Sequence, residues 1–205
     1  HMSMFTGLYP DQHDVFPPDA VLAEGIPTLP ELFKKAGFRT IGHTDGGYVS
    51  GRFGFSRGFD LFDDRRIILW GGGDHTFARG LASLRDLAPE ERFFLFVHTY
   101  AAHDPYNPPR QCRDLFWSGP PPEGAELSAS AVLRAHNTGV APLSPEVVAY
   151  YASQYDAEIR CLDDEIGRFF AGLEGLGLAD RVTVVITADH GEEFLQHGKM
   201  AHEQV

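Results

Sequence analysis

Within fourteen residues, from Asp189 to His202, the chain places Asp189, His190, Glu192, Glu193, His197 and His202. Carboxylate and imidazole donors at that density exceed what a solvated turn needs. The economical explanation is a divalent cation with Asp189 and His190 as ligands. The plainer alternative is a strand-to-helix turn in which Asp189 serves as a cap; His197 and His202 favour the site. Glu192 and Glu193 read as solvated or capping groups rather than ligands. A second concentration of chemistry is FVHTYAAHDPY, which carries His98, His103, Asp104 and Tyr106. His98 reads as structural, its ring satisfied by hydrogen bonds near a strand end.

Both groups need elements that end where they begin. The β-branched run 182–187, VTVVIT, has the composition and length of a buried strand and runs straight into Asp189. Residues 93–97, FFLFV, read as a second, fully buried strand that delivers the chain to His98 and His103. In open α/β sheets ligands sit in the crevice beyond the carboxyl ends of such strands. Upstream, residues 3–8 predict a helix stopped at Gly7. Residues 26–36 predict another, with Leu29, Leu32, Phe33 and Ala36 on one stripe and Gly37 as its stop, followed by a short strand over 38–44. A further helix spans 74–88. Helix, glycine and strand in this order argue for βα repeats: an α/β sandwich with a mostly parallel central sheet and helices on both faces.

The rest of the chain frames that scaffold. Residues 107–143 are broken by Pro108, Pro109, Gly119, Pro120, Pro121, Pro122 and Gly124 and predict an irregular loop that overhangs the pocket beside His103. Ser144 caps and Pro145 opens a long helix to about Leu173, with an apolar stripe through Val148, Tyr151, Tyr155, Ile159, Leu162, Ile166, Phe169 and Phe170. Its acids Asp156, Glu158, Asp163, Asp164 and Glu165 read as a solvated face. The length, 205 residues without an internal repeat, suits one domain over 1–205. A net charge of −12 without a Lys/Arg cluster excludes nucleic acid as a partner, yet leaves room for an anionic substrate, because a cation and a few histidines set the local field. No run is long enough to cross a membrane, and no signal peptide is visible. Cys112 and Cys161 give no framework, and Cys161 reads as a small buried hydrophobe.

TADHGEEFLQHGKMAH resembles the second metal motif of the sulfatase family, part of the alkaline phosphatase superfamily, which reads S/T-D-H/N-G, then H-G, then a Lys or His. Three further stretches agree in order. Thr6-Gly7-Leu8-Tyr9-Pro10 and His13-Asp14-Val15 are similar to the segment just after the sulfatase nucleophile, with Asp14 a departure from the usual Gly. Gly46 to Asp60 is similar to a glycine- and aromatic-rich segment of bacterial members, and FFLFVHTYAAHDPY to the strand that ends in H-x-P-Y. The long helix carries the matching Y-D-x-E-I-x-x-L-D-x-x-I-G pattern.

The resemblance implies an alkaline phosphatase/sulfatase-like three-layer fold, present here in part, and a metal-dependent hydrolysis of sulfate esters. It implies a formylglycine nucleophile upstream of residue 1, so these 205 residues alone are expected to be inactive. His1 takes the place of the motif's Arg, or else His1-Met2 is a cloning scar. His103 would protonate the leaving alcohol; His197 and His202 would bind the substrate, His202 standing where many members place a sulfate-binding Lys. His43, Thr44 and Asp45 lack the Lys of some members, and no role is transferred to them. Asp189 and His190 would hold one Ca²⁺, while an imidazole ligand suits Mn²⁺ or Zn²⁺ equally. The expected partner is a small-molecule or glycan sulfate ester. Two alternatives stay open: a phosphonate monoester hydrolase or phosphodiesterase of the same superfamily, and a non-catalytic fragment or pseudoenzyme.

Overall fold

Phe94 and Phe96 face one side of a parallel sheet and Leu95 and Val97 the other, and each side is covered by helices. The computed structural model describes residues 1–16, 18–65, 73–125 and 129–202. The chain divides into two compact units, His1–Tyr100 with Phe169–Ala179, and Ala101–Arg168 with Asp180–Val205.

The first unit runs α1 (Met2–Thr6), α2 (Pro10–His13), α3 (Leu29–Lys35), β1 (Arg39–Thr44), β2 (Leu61–Asp63), α4 (Gly73–Arg85) and β3 (Phe93–His98). Its strands lie in the order β2-β1-β3, and both pairings are parallel, with Arg39 opposite Phe93 and Thr44 opposite His98. On one face Phe5 of α1 meets Phe96 edge-on and Phe33 of α3 stacks on Phe94. On the other, Gly80 of α4 lies against Val97 and Leu95. This is the α/β arrangement the sequence predicts. α3 begins where Thr28 and Glu31 satisfy each other's orphan groups, the Thr28 N–H donating to Oε2 of Glu31 at 2.8 Å. Of its predicted stripe, Phe33 packs inward, whereas Leu32 is 54% exposed. Glycine is required at Gly58, where the chain turns past the start of α3: its φ is +86°, and a Cβ there would stand 2.3 Å from the Glu31 nitrogen.

The second unit holds α5 (Arg110–Phe116), α6 (Ala129–Asn137), and the hairpin β4 (Glu193–Phe194) and β5 (Met200–Ala201). α7 (Pro145–Gly175) contributes its residues up to 168 to this unit and the remainder to the first. The core here is Tyr106, Leu133, Val147, Tyr150, Tyr151, Met200 and Ala201.

Four expectations are corrected. The run 182–187 forms no strand, and Val184, Val185 and Ile186 are exposed at 43, 81 and 65%. β-branched composition confers the capacity to pair, but a strand exists only with a hydrogen-bonded neighbour, and none of the described strands pairs with it. The irregular stretch 107–143 contains two helices, α5 and α6, because Pro108 and Pro109 fall before α5 and Gly119, Pro120, Pro121, Pro122 and Gly124 between the two, with residues 126–128 outside the described residues. Cys112 and Cys161 form a disulfide between α5 and α7, their Cα atoms 5.9 Å apart across 49 residues of sequence, a proximity that spacing does not reveal. Finally, Glu158 and Glu192 are buried rather than solvated.

Candidate active site

Four pieces of the second unit bring chemistry together. The segment after β3 supplies His103, Asp104 and Tyr106; α7 supplies Glu158; the stretch before β4 supplies Asp189, His190 and Glu192; and His202 comes directly after β5. The hairpin explains one meeting that sequence distance hides. Glu193 pairs with Ala201 and Phe194 with Met200, so the next pair outward is Glu192 and His202. Their side chains touch, Nδ1 of His202 lying 2.7 Å from Oε1 of Glu192. The same fold places His197 at the hairpin's tip, 77% exposed and 3.5 Å from the Glu193 carboxylate.

His202 lies between the other two predicted imidazoles, with ring centroids 4.8 Å from His103 and 4.6 Å from His190. Each of the three rings is fixed through the same nitrogen. Nδ1 of His103 donates to the Asp104 carbonyl at 2.6 Å, Nδ1 of His190 to the Gly191 carbonyl at 3.0 Å, and Nδ1 of His202 to Glu192. The two carbonyls can only accept, so His103 and His190 carry a proton on Nδ1, and the carboxylate oxygen that accepts from His202 gives it the same tautomer; chemistry falls to Nε2. His103 also has Oδ1 of Asp104 at 3.2 Å from Nδ1, and Ser130 of α6 donates to Oδ2 of the same carboxylate at 2.6 Å.

Behind the histidines stands a buried layer of oxygens. The Tyr106 hydroxyl donates to Oε2 of Glu192, and burial, reinforced by that carboxylate, pushes the phenol well above its ordinary range. Oε1 of Glu158 accepts the Asn107 N–H at 2.7 Å, while Oε2 has no hydrogen-bond partner among the described residues. Burial, and then the nearby charges of Glu192 and Asp104, push the Glu158 carboxyl up to about 8, so it is neutral at pH 7. Glu158 carries no sequence signal, standing on a helix rich in surface carboxylates. Glu192 carries one: a hairpin centred on His197 pairs it with His202.

The residues fit a divalent cation in two respects. Nε2 of His190 and Oδ2 of Asp189 lie 3.7 Å apart, a span that two donors each about 2.2 Å from one ion can bridge. The Nδ1–H of His190 is already given to a backbone carbonyl, the partner a ligating imidazole usually has. Two further sets of three donors, His103 with Asp104 and His202, and His190 with Glu192 and His202, lie with their atoms within 4.8 Å of one another.

A scan against protein families matches Sulfatase over residues 2–204. The chain belongs to the sulfatase family. Solved structures resemble this chain in fold. One, in complex with its substrate D-glucosamine-2-N,6-O-disulfate, superposes with a TM-score of 0.71 at 17% identity, covering 96% of this chain and 56% of that one. The phosphonate monoester hydrolase of Agrobacterium radiobacter gives 0.72 at 16% identity, covering 98% and 54%. A phosphonate monoester hydrolase from Silicibacter pomeroyi gives 0.55 at 18%, covering 97% and 54%. The chain thus spans a little over half the length of those neighbours. A search of curated proteins returns no match.

Of the predicted sulfatase site residues, His103, His190 and His202 meet, Asp189 adjoins His190, and His197 stands apart at the hairpin tip. His43 and Asp45, to which the resemblance assigns no role, are engaged within the first unit: Nε2 of His43 with Ser83, and Asp45 with Thr99 and the Tyr100 N–H.

Proposed function

We propose that the whole protein is a metal-dependent hydrolase of sulfate esters, whose nucleophile is a formylglycine made from a cysteine or serine that precedes residue 1. The observation that supports this reading most is the convergence of three imidazoles, each with Nδ1 committed to an oxygen and Nε2 as the working nitrogen. His103, acting as the imidazolium, gives its Nε2 proton to the departing alcohol oxygen and keeps its Nδ1–H on the Asp104 carbonyl. His202, held by Glu192 between His103 and His190, binds the anionic oxygens of the ester in its protonated form. Asp189 and His190 hold the cation. When bound, that ion neutralises the charge that grows on the sulfate oxygens. The resemblance favours Ca²⁺, and the nitrogen donor of His190 suits Mn²⁺ or Zn²⁺ as well. The substrate class is a small-molecule or glycan sulfate ester, and the sulfated glucosamine bound by one structural neighbour favours the glycan.

A second reading, phosphonate monoester hydrolysis, is favoured by the imidazole of the Asp189-His190 pair and by two neighbours that bear that name. One experiment separates them. The whole protein, loaded in turn with Ca²⁺, Mn²⁺ and Zn²⁺, is assayed on a sulfated glucosamine, an aryl sulfate and an aryl phosphonate monoester. Sulfate turnover that falls by roughly 10²–10⁴ in His103→Ala supports the proposal. Preference for the phosphonate establishes the second reading, and turnover of none of the three, with metal bound, marks a non-catalytic protein.

A further inference from the structure

The backbone segment that leads into His202 would not hold its shape alone. Ala201, the residue before it, has φ +64°, a left-handed conformation that a residue with a Cβ adopts only when its surroundings impose it. β4 gives Ala201 and Met200 only a two-residue partner. What lies on the other side is Asn137, the last residue of α6 and itself 8% exposed. Its side-chain amide grips Met200 at both ends: Nδ2 donates to the Met200 carbonyl at 2.9 Å, and Oδ1 accepts the Met200 N–H at 2.8 Å. The Asn137 carbonyl in turn accepts a hydrogen bond from Nζ of Lys199. Met200, fully buried, is thereby fixed in rotation as well as position, and with it the direction in which the chain enters His202.

We propose that Asn137 is the positioning residue of His202: its amide acts in place of a third strand, holds Ala201 left-handed, and so aims the imidazole at Glu192 and at His103 and His190. The role in turnover rests on the proposed function; the role in orientation does not. Ser130, seven residues earlier on α6, donates to Asp104, which contacts His103. One helix drawn from the proline-rich stretch therefore fastens both histidine-bearing segments. A misplacement of about 1 Å at such a group costs on the order of 100-fold in rate.

The test reads the imidazoles directly, by ¹H–¹⁵N spectra of the histidine side chains in the whole protein without substrate, for the native chain, Asn137→Ala and the isosteric Asn137→Asp. Asn137→Asp keeps the acceptor for the Met200 N–H and turns an oxygen towards the Met200 carbonyl. The expected result in both variants is loss of the hydrogen-bonded Nδ1–H signal of His202, with the signals of the buried His13 and His43 unchanged. In an active enzyme, kcat/KM falls about 100-fold in step with that loss. An unchanged His202 signal in either folded variant overturns the proposal. So does failure of both to fold, since Asn137 would then hold the whole unit rather than one ring. A protein inactive on every ester sinks the proposed function and leaves the spectrum to judge the clamp.

Discussion

Nδ1 of His202 lies 2.7 Å from Oε1 of Glu192, ten residues back along the chain, because the hairpin of β4 and β5 folds the two into adjacent positions. A buried carboxylate thus sets the orientation of the imidazole that stands between His103 and His190. Glu192→Gln keeps the volume and removes the charge that accepts from both His202 and Tyr106. The expected outcome is a roughly 10–100-fold fall in kcat/KM, as for other groups that orient a working histidine. Steady-state kinetics on the folded variant checks it.

His202 also predicts a loss of substrate affinity. Held by Glu192 between His103 and His190, it is the group proposed to bind the anionic oxygens of the ester, so His202→Ala is expected to raise KM more than it lowers kcat. Steady-state kinetics that return an unchanged KM in the folded variant count against His202 as the anion-binding group.

Glu158 links pH to stability. Its folded carboxyl is raised from 4.5 to about 8, chiefly by burial, so its contribution is fully present below 4.5 and is lost as pH rises to about 8. The expected loss is of the order of a few kcal/mol. Glu158→Gln cannot ionise and is expected to abolish this decline, which denaturant unfolding between those two pH values measures.

The Cys112–Cys161 disulfide closes a loop across 49 residues and ties α5 to α7. Reduction, or Cys112→Ala, is expected to lower stability by roughly 2–4 kcal/mol and the midpoint of thermal unfolding by roughly 4–16 °C. Thermal scans with and without reductant, beside alkylation that leaves Cys112 and Cys161 unlabelled in the untreated protein, test this.

Gly58 lets the chain pass α3 at φ +86°, with room for no Cβ before the Glu31 nitrogen at 2.3 Å. Because the obstacle is backbone, Gly58→Ala is expected to destabilise by on the order of 3 kcal/mol, measured by chemical denaturation.

What the sequence determined by itself was whatever depends on near neighbours in the chain. The apolar run 93–97 and the segment 38–44 became parallel strands. Thr28 and Glu31 capped α3, Ser144 and Pro145 opened α7, and His103, Asp104 and Tyr106 came just beyond a strand end. Hydrophobic period, caps and turn residues act within a few positions, so they can be read in order. Tertiary structure alone decided what depends on a distant partner. It left 183–187 exposed, since a strand needs a neighbour; it buried the side chains of Glu158 and Glu192; it joined Cys112 to Cys161; and it brought Asn137 onto Met200. A residue's type states which bonds it can make, and only the packed chain states which partner arrives to make them.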